Sequence, residues 1–89
     1  MGTYMVERYL PGITEQELHA AIGRVKAAAA QMQAEGVAVG YLGATFAPTD
    51  QYCFCLFTGP SQAAVQEANQ RAAFPHARIV PAVRISPED

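Results

Sequence analysis

Two cysteines separated by one residue are the clearest indication of chemistry in this sequence. Cys53 and Cys55 are its only cysteines, and residues at i and i+2 of a strand project from the same face. They could offer two thiolates to a soft metal ion, which would need further ligands from elsewhere. Free cysteine is more commonly a small buried apolar residue. We expect two reduced thiols in the core, because Cα atoms roughly 6.5 to 7 Å apart lie at the upper limit for a disulfide.

The two histidines are the other candidates for binding or proton transfer. His76 follows Pro75 in a loop, where an imidazole can ligate a metal or act as acid or base near neutral pH. The alternative is an uninvolved loop residue. His19 falls on the flank of a predicted helix, and we expect it to be solvated. The sequence contains no Ser-His-Asp spacing, no His-Glu-x-x-His motif, no phosphate-binding loop and no dinucleotide fingerprint.

Glu7 is the charged residue whose position needs an explanation. It falls in a predicted central strand, on the face that we assign away from the helices, where burying an isolated carboxylate would cost several kcal/mol. It is therefore paired, hydrated or functional. A functional Glu7 would share the open face with hydroxyl-bearing neighbours, namely Tyr9, Tyr41, Thr45 and Tyr52. A structural Glu7 would pair with Arg84 or Arg8, and the sequence favours neither interpretation.

The segment Gln51–Thr58 is the strand around which these residues are arranged. Its residues are apolar on both faces: Tyr52, Phe54 and Leu56 on one, and Cys53, Cys55 and Phe57 on the other. Such a strand lies in the middle of a sheet that is covered on both sides. A chain of 89 residues supplies one layer of helices, so we expect a second copy to cover the other face as a homodimer.

The remaining elements are predicted from caps, turns and periodicity. Thr14 and Glu17 form a capping box before apolar residues at helical spacing, and Gly36 ends that helix. Pro81 predicts that the last strand lies at a sheet edge, because proline has no backbone N–H to donate to a second neighbouring strand. The predicted elements of one domain over residues 1–89 are a strand at 3–10, a helix at 14–35, strands at 37–46 and 51–58, a helix at 61–73 and a strand at 78–85.

This order is typical of the ferredoxin-like α+β fold (βαββαβ), a four-stranded antiparallel sheet with two helices on one face. Right-handed crossovers put the first and third strands in the centre. A hairpin loop at 47–50 would pair Phe46 with Gln51. This register would determine which side chains of the two strands lie on the same face of the sheet. The residues expected to face the helices are Leu42, Ala44, Phe46, Ile79, Val83 and Ile85, with Tyr41 and Thr45 on the open face. The last strand would bring Arg84 near Glu7.

Composition and charge exclude several classes of function. The chain is 51% hydrophobic and 16% charged, which is far from the composition of a disordered protein. Its formal net charge of -2 gives no basic field for nucleic acid or an anionic membrane surface. No apolar run approaches the ~20 residues of a membrane span, and the first residues lack a signal-peptide pattern. We expect a cytoplasmic protein.

Several segments together resemble one known family. They are Met5–Thr14, Tyr41–Phe46, Cys53–Phe57, Gly59–Ser61, Val65, Glu67, Ala68, Asn69 and Arg71–Pro75. The family comprises small bacterial ferredoxin-like proteins of unknown function, one member of which is described as nickel-binding. Where that member has histidines, this chain has Glu7, Arg8 and Phe74, with His76 just beyond. The resemblance implies a divalent metal such as nickel, with Glu7 and His76 as its candidate ligands.

Three hypotheses for function follow. The first is a homodimeric binding protein that holds a divalent metal or a small ligand on the open face, at Glu7, Tyr9, Tyr41, Thr45, Tyr52 and Arg84. The second is a small dimeric enzyme, an isomerase or cofactor-free oxygenase, with Glu7 or His76 as acid or base. The third is a structural or regulatory dimer, because a fold alone does not determine a function.

Overall fold

Six elements make up the fold in the computed structural model, which describes all 89 residues, Met1–Asp89. They are β1 (Gly2–Tyr9), α1 (Glu15–Ala34), β2 (Gly40–Ala47), β3 (Tyr52–Gly59), α2 (Gln62–Arg71) and β4 (Arg78–Ala82). The four strands form one antiparallel sheet in the order β2-β3-β1-β4. The predicted ferredoxin-like α+β fold is confirmed, with the first and third strands in the centre and both helices on one face.

Local capping interactions begin the two helices. The Thr14 hydroxyl accepts a hydrogen bond from the Glu17 amide at 3.1 Å, and the Glu17 carboxylate accepts one from the Thr14 amide at 2.9 Å. These two bonds are the predicted capping box. Ser61 caps α2 by accepting from the Ala64 amide at 3.2 Å. No helix of the protein combines the length and the apolar character needed to cross a bilayer.

The hydrophobic core lies between the helices and one face of the sheet. Cys53, Cys55 and Phe57 of β3 are fully buried there, so the prediction that both cysteines face the helices is confirmed. Both are free thiols. The helices contribute the largest share of the core: Leu18, Ala21, Val25, Ala28, Ala29, Met32, Ala64, Val65, Ala68 and Ala72.

Two strand boundaries differ from the prediction. β2 begins at Gly40 rather than at residue 37, because the Val37 amide is already bonded to the Met32 carbonyl at 2.9 Å in the turn after α1. β4 ends at Ala82, and the predicted packing of Val83 and Ile85 against the helices is wrong. These two side chains are 85% and 80% exposed, because the pairing of β4 with β1 ends at Ala82 opposite Thr3 and both residues lie beyond it.

The β2-β3 hairpin has a different register from the predicted one. Phe46 pairs with Cys53 rather than with Gln51, because the turn extends through Gln51, whose amide bonds to the Ala47 carbonyl at 2.8 Å. A shift of two residues leaves every side chain on the same face. Farther along β2, a bulge makes Leu42 an extra residue that is 42% exposed, so its predicted contact with the helices is wrong.

Candidate functional site

The open face of the sheet, turned away from the helices, carries the candidate site. Its central row crosses all four strands: Glu7 of β1 lies opposite Arg78 of β4 and Phe54 of β3, and Phe54 lies opposite Thr45 of β2. The Glu7 side chain is 20% exposed. A carboxylate therefore lies between an apolar row, Met5 and Leu56, and an aromatic row, Tyr9 and Tyr52.

Arg78 is the ion-pair partner of Glu7. Its Nε donates to Glu7 Oε2 at 2.7 Å, and its side chain is 64% exposed. The expectation that Arg84 approaches Glu7 is wrong. β4 runs antiparallel to β1, so Arg78 at its start lies beside Glu7, whereas its end at Ala82 lies opposite Thr3. Arg84 follows that far end and takes no part in this row.

Aromatic side chains extend the open face toward the end of β1. Tyr9 and Tyr52 are direct neighbours on adjacent strands, with ring centroids 5.2 Å apart. Tyr52 in turn stacks on Phe54 at 6.2 Å with an interplanar angle of 17°. Tyr9, Tyr52 and Thr45 therefore lie on the same face as Glu7, where they form a continuous surface of rings and hydroxyls.

Tyr41 lies on the helix side of the sheet, and its predicted position on the open face is wrong. Tyr41 pairs with Phe57, but Gly43 pairs with Leu56, so β2 has one residue more than β3 over this step. Such a bulge reverses the alternation of side chains beyond it. The Tyr41 ring packs edge-to-face on Phe57 at 5.5 Å. Its burial, with smaller contributions from the cysteines, raises the pKa of Tyr41 to about 12.

His76 lies at the rim of the open face, in the loop before β4. It lines a small surface pocket of about 210 Å³ with Tyr9, Pro75 and Ala77. The Ala77 amide donates to the Glu7 carbonyl at 2.8 Å, which holds this loop against the end of β1. No group of three or more histidine, cysteine, aspartate or glutamate side chains in the chain is arranged to hold a metal ion.

Arg8 is buried on the helix side of the sheet, whereas the sequence suggested it only as a possible partner of Glu7. Its Nη1 donates to the carbonyls of Phe74 at 3.1 Å and Pro75 at 3.3 Å, and its Nη2 donates to Asn69 Oδ1. Its guanidinium carbon lies 3.8 Å from the centroid of the Phe74 ring. The side chain is fully buried. The sequence could have predicted this burial, because the alternation of side chains along a strand puts Arg8 on the same face as the core residue Val6.

Arg8 also influences the two cysteines. Their sulfurs lie 3.9 Å apart, within hydrogen-bonding distance, and Arg8 is the register neighbour of Cys53 on β1. The hydrogen bond between the thiols lowers the pKa of Cys55 and raises that of Cys53. The positive charge of Arg8 favours the thiolate form of both.

Comparisons with known proteins agree on one relative. The sequence profile of a family described as "Nickel responsive protein SCO4226-like" matches residues 4–82. The crystal structure of SCO4226 from Streptomyces coelicolor A3(2) superimposes with a TM-score of 0.79 at 26% sequence identity. The match covers 94% of this chain and 99% of the other. No curated protein sequence matches the chain.

Proposed function

Because the chain belongs to the SCO4226-like family of nickel-responsive proteins, we propose that it is a homodimeric metal-binding protein whose site is shared between two open sheet faces. The observation that carries the proposal is the position of Glu7. It is a carboxylate near the centre of the open face, and its ion-pair partner Arg78 is largely exposed. An ion pair with one largely exposed partner contributes little to stability, on the order of 1 kcal/mol. Folding alone therefore gives little reason for a carboxylate at this position.

A second copy of the chain would supply the missing ligands. Nickel binds four or more ligands in square-planar or octahedral geometry, with imidazole as a preferred donor. One chain offers Glu7 at the centre of the face and His76 at its rim. A two-fold axis duplicates every residue at the interface, so two apposed faces would offer two carboxylates and two imidazoles.

The apolar residues around Glu7 favour the same assembly. Met5, Leu56 and Val80 form the row beside Glu7 and are half-buried in the isolated chain. Contiguous apolar patches of this kind on small proteins are commonly interaction surfaces. Covering them would also exclude water from Glu7, which would strengthen its interaction with a cation.

The test is metal retention and stability measured on the same variant. Protein prepared without a histidine tag is dialysed against Ni²⁺, and bound metal is counted by elemental analysis. We expect about one ion per dimer, and we expect Glu7→Gln to weaken binding by more than about tenfold with a change in unfolding free energy below about 1 kcal/mol.

His19→Ala is the matched control, because His19 lies on α1 in a groove on the other side of the sheet. It should retain nickel, whereas His76→Ala should lose it. If Glu7→Gln lowers stability while nickel binding is unchanged, Glu7 is a structural partner of Arg78 and the proposal is wrong.

A further inference from the structure

The pair of cysteines on β3 forms a second cluster that the nickel proposal does not use. Cys53 and Cys55 project from the helix side of the sheet, on the opposite side from Glu7, and both are fully buried. Their sulfurs lie 3.9 Å apart. Arg8 lies beside them and is also fully buried, and its Nε has no hydrogen-bond partner, although its other two nitrogens are bonded. A buried donor without a partner is unusual and calls for an explanation, of which a bound ion is one.

We propose that Cys53 and Cys55 bind a soft monovalent cation, Cu(I), as a bis-thiolate, with Arg8 balancing its charge. Thiolate sulfur is the ligand that Cu(I) prefers among protein groups. Each sulfur forms one bond to the ion and releases any proton it carries to solvent. No electron is transferred, so the step needs no oxidant or reductant.

The charges select a monovalent ion. Two thiolates and one Cu(I) carry a net charge of minus one, and the guanidinium of Arg8 brings the buried cluster to zero. A divalent ion on the same two thiolates would leave one uncompensated positive charge inside the protein. Burying an uncompensated charge costs several kcal/mol, so Ni²⁺ and Zn²⁺ are disfavoured here. Both also need ligands that this position lacks.

The distance between the sulfurs suits a bridging ion. With metal–sulfur bonds of about 2.3 Å, as in zinc thiolates, sulfurs 3.9 Å apart subtend roughly 115° at the metal. That angle is close to trigonal, so it leaves one position open for an incoming ligand. A disulfide would instead require the sulfurs to approach to about 2.05 Å, which two residues on one straight strand do not easily reach.

A groove between α1 and β2 leads toward the sulfurs. Its volume is about 530 Å³, and its walls include Ala44 and Phe46. These two residues are the cross-strand partners of Cys55 and Cys53, so the groove ends one strand away from the thiols.

The experiment is an anaerobic titration of the reduced, untagged protein with Cu(I) in competition with a chromophoric Cu(I) chelator. We expect about one Cu(I) per chain and a loss of affinity of at least about tenfold in both Cys53→Ala and Cys55→Ala. Met5→Leu, on the opposite face of the sheet, is the matched control and should bind as the wild type does. Undiminished binding by the double cysteine variant would overturn the proposal.

X-ray absorption at the copper edge of the wild-type complex tests the same site without any variant. Sulfur ligands are expected, and a coordination shell of nitrogen and oxygen alone would refute the assignment. Because Glu7 and His76 lie away from the thiols, this result is independent of the nickel experiment.

Discussion

The guanidinium of Arg8 joins the end of β1 to the loop that follows α2. It donates hydrogen bonds to Asn69 and to the carbonyls of Phe74 and Pro75, and it stacks on the Phe74 ring. Buried acceptors that lose their donor cost about 1 to 3 kcal/mol each unless water replaces it. This one side chain therefore fixes the loop that carries His76 relative to the open face.

We predict that Arg8→Met lowers the free energy of unfolding by about 2 to 4 kcal/mol, because it leaves these acceptors unpaired inside the protein. Chemical denaturation monitored by circular dichroism measures the change. Arg78→Met is the matched control and should cost no more than about 1 kcal/mol, since Arg78 is 64% exposed. Equal effects of the two substitutions would contradict a structural role for Arg8.

At the scale of the elements, the bulge in β2 determines which residues reach each face. Leu42 is the extra residue, and the strand continues through Gly43 at a φ of +145°. Residues other than glycine rarely adopt such a backbone. The bulge turns Tyr41 to the helix side and leaves Thr45 on the open face.

Gly43→Ala should therefore destabilise the protein by about 1 to 3 kcal/mol, although no atom lies within 4 Å of the added methyl group. The cost would be conformational rather than steric. Gly23→Ala is the control within α1, where space is also open and φ is not positive. It should stabilise by about 0.5 to 1 kcal/mol. Thermal unfolding of both variants would distinguish them, and the expected signs are opposite.

At the scale of the whole molecule, the helices cover one face of the sheet and leave the other open. Met5, Phe54, Leu56 and Val80 lie on the open face around Glu7. Burial of apolar area contributes about 25 cal/mol per Å², so a second copy on this face would add stability.

We predict a dimer in sedimentation experiments at micromolar concentration, and we predict that Leu56→Glu produces a monomer, because it places a charge within the apolar interface. Val83→Glu is the control, since Val83 is 85% exposed and lies beyond the sheet. A wild-type monomer that binds no dye for exposed apolar surface would contradict this prediction.

The sequence by itself determined the order of the elements, the ferredoxin-like fold and the burial of both cysteines. These features depend on local signals: the Thr14 capping box, the hairpin loop at 47–50, and the apolar residues on both faces of β3. Each signal lies within a few neighbouring residues, so it can be interpreted without knowledge of the fold.

Only the tertiary structure decided which side chains meet at the candidate site. The partner of Glu7 is Arg78 rather than Arg84, because the register between β1 and β4 is set by pairing across some 70 residues of chain. Tyr41 changed faces because one extra residue in β2 reverses the alternation. Strand alternation places Arg8 on the core side, but its hydrogen-bond acceptors on α2 and the following loop are brought to it only by folding. Registers, bulges and buried polar networks are properties of contacts between distant segments, which no local pattern records.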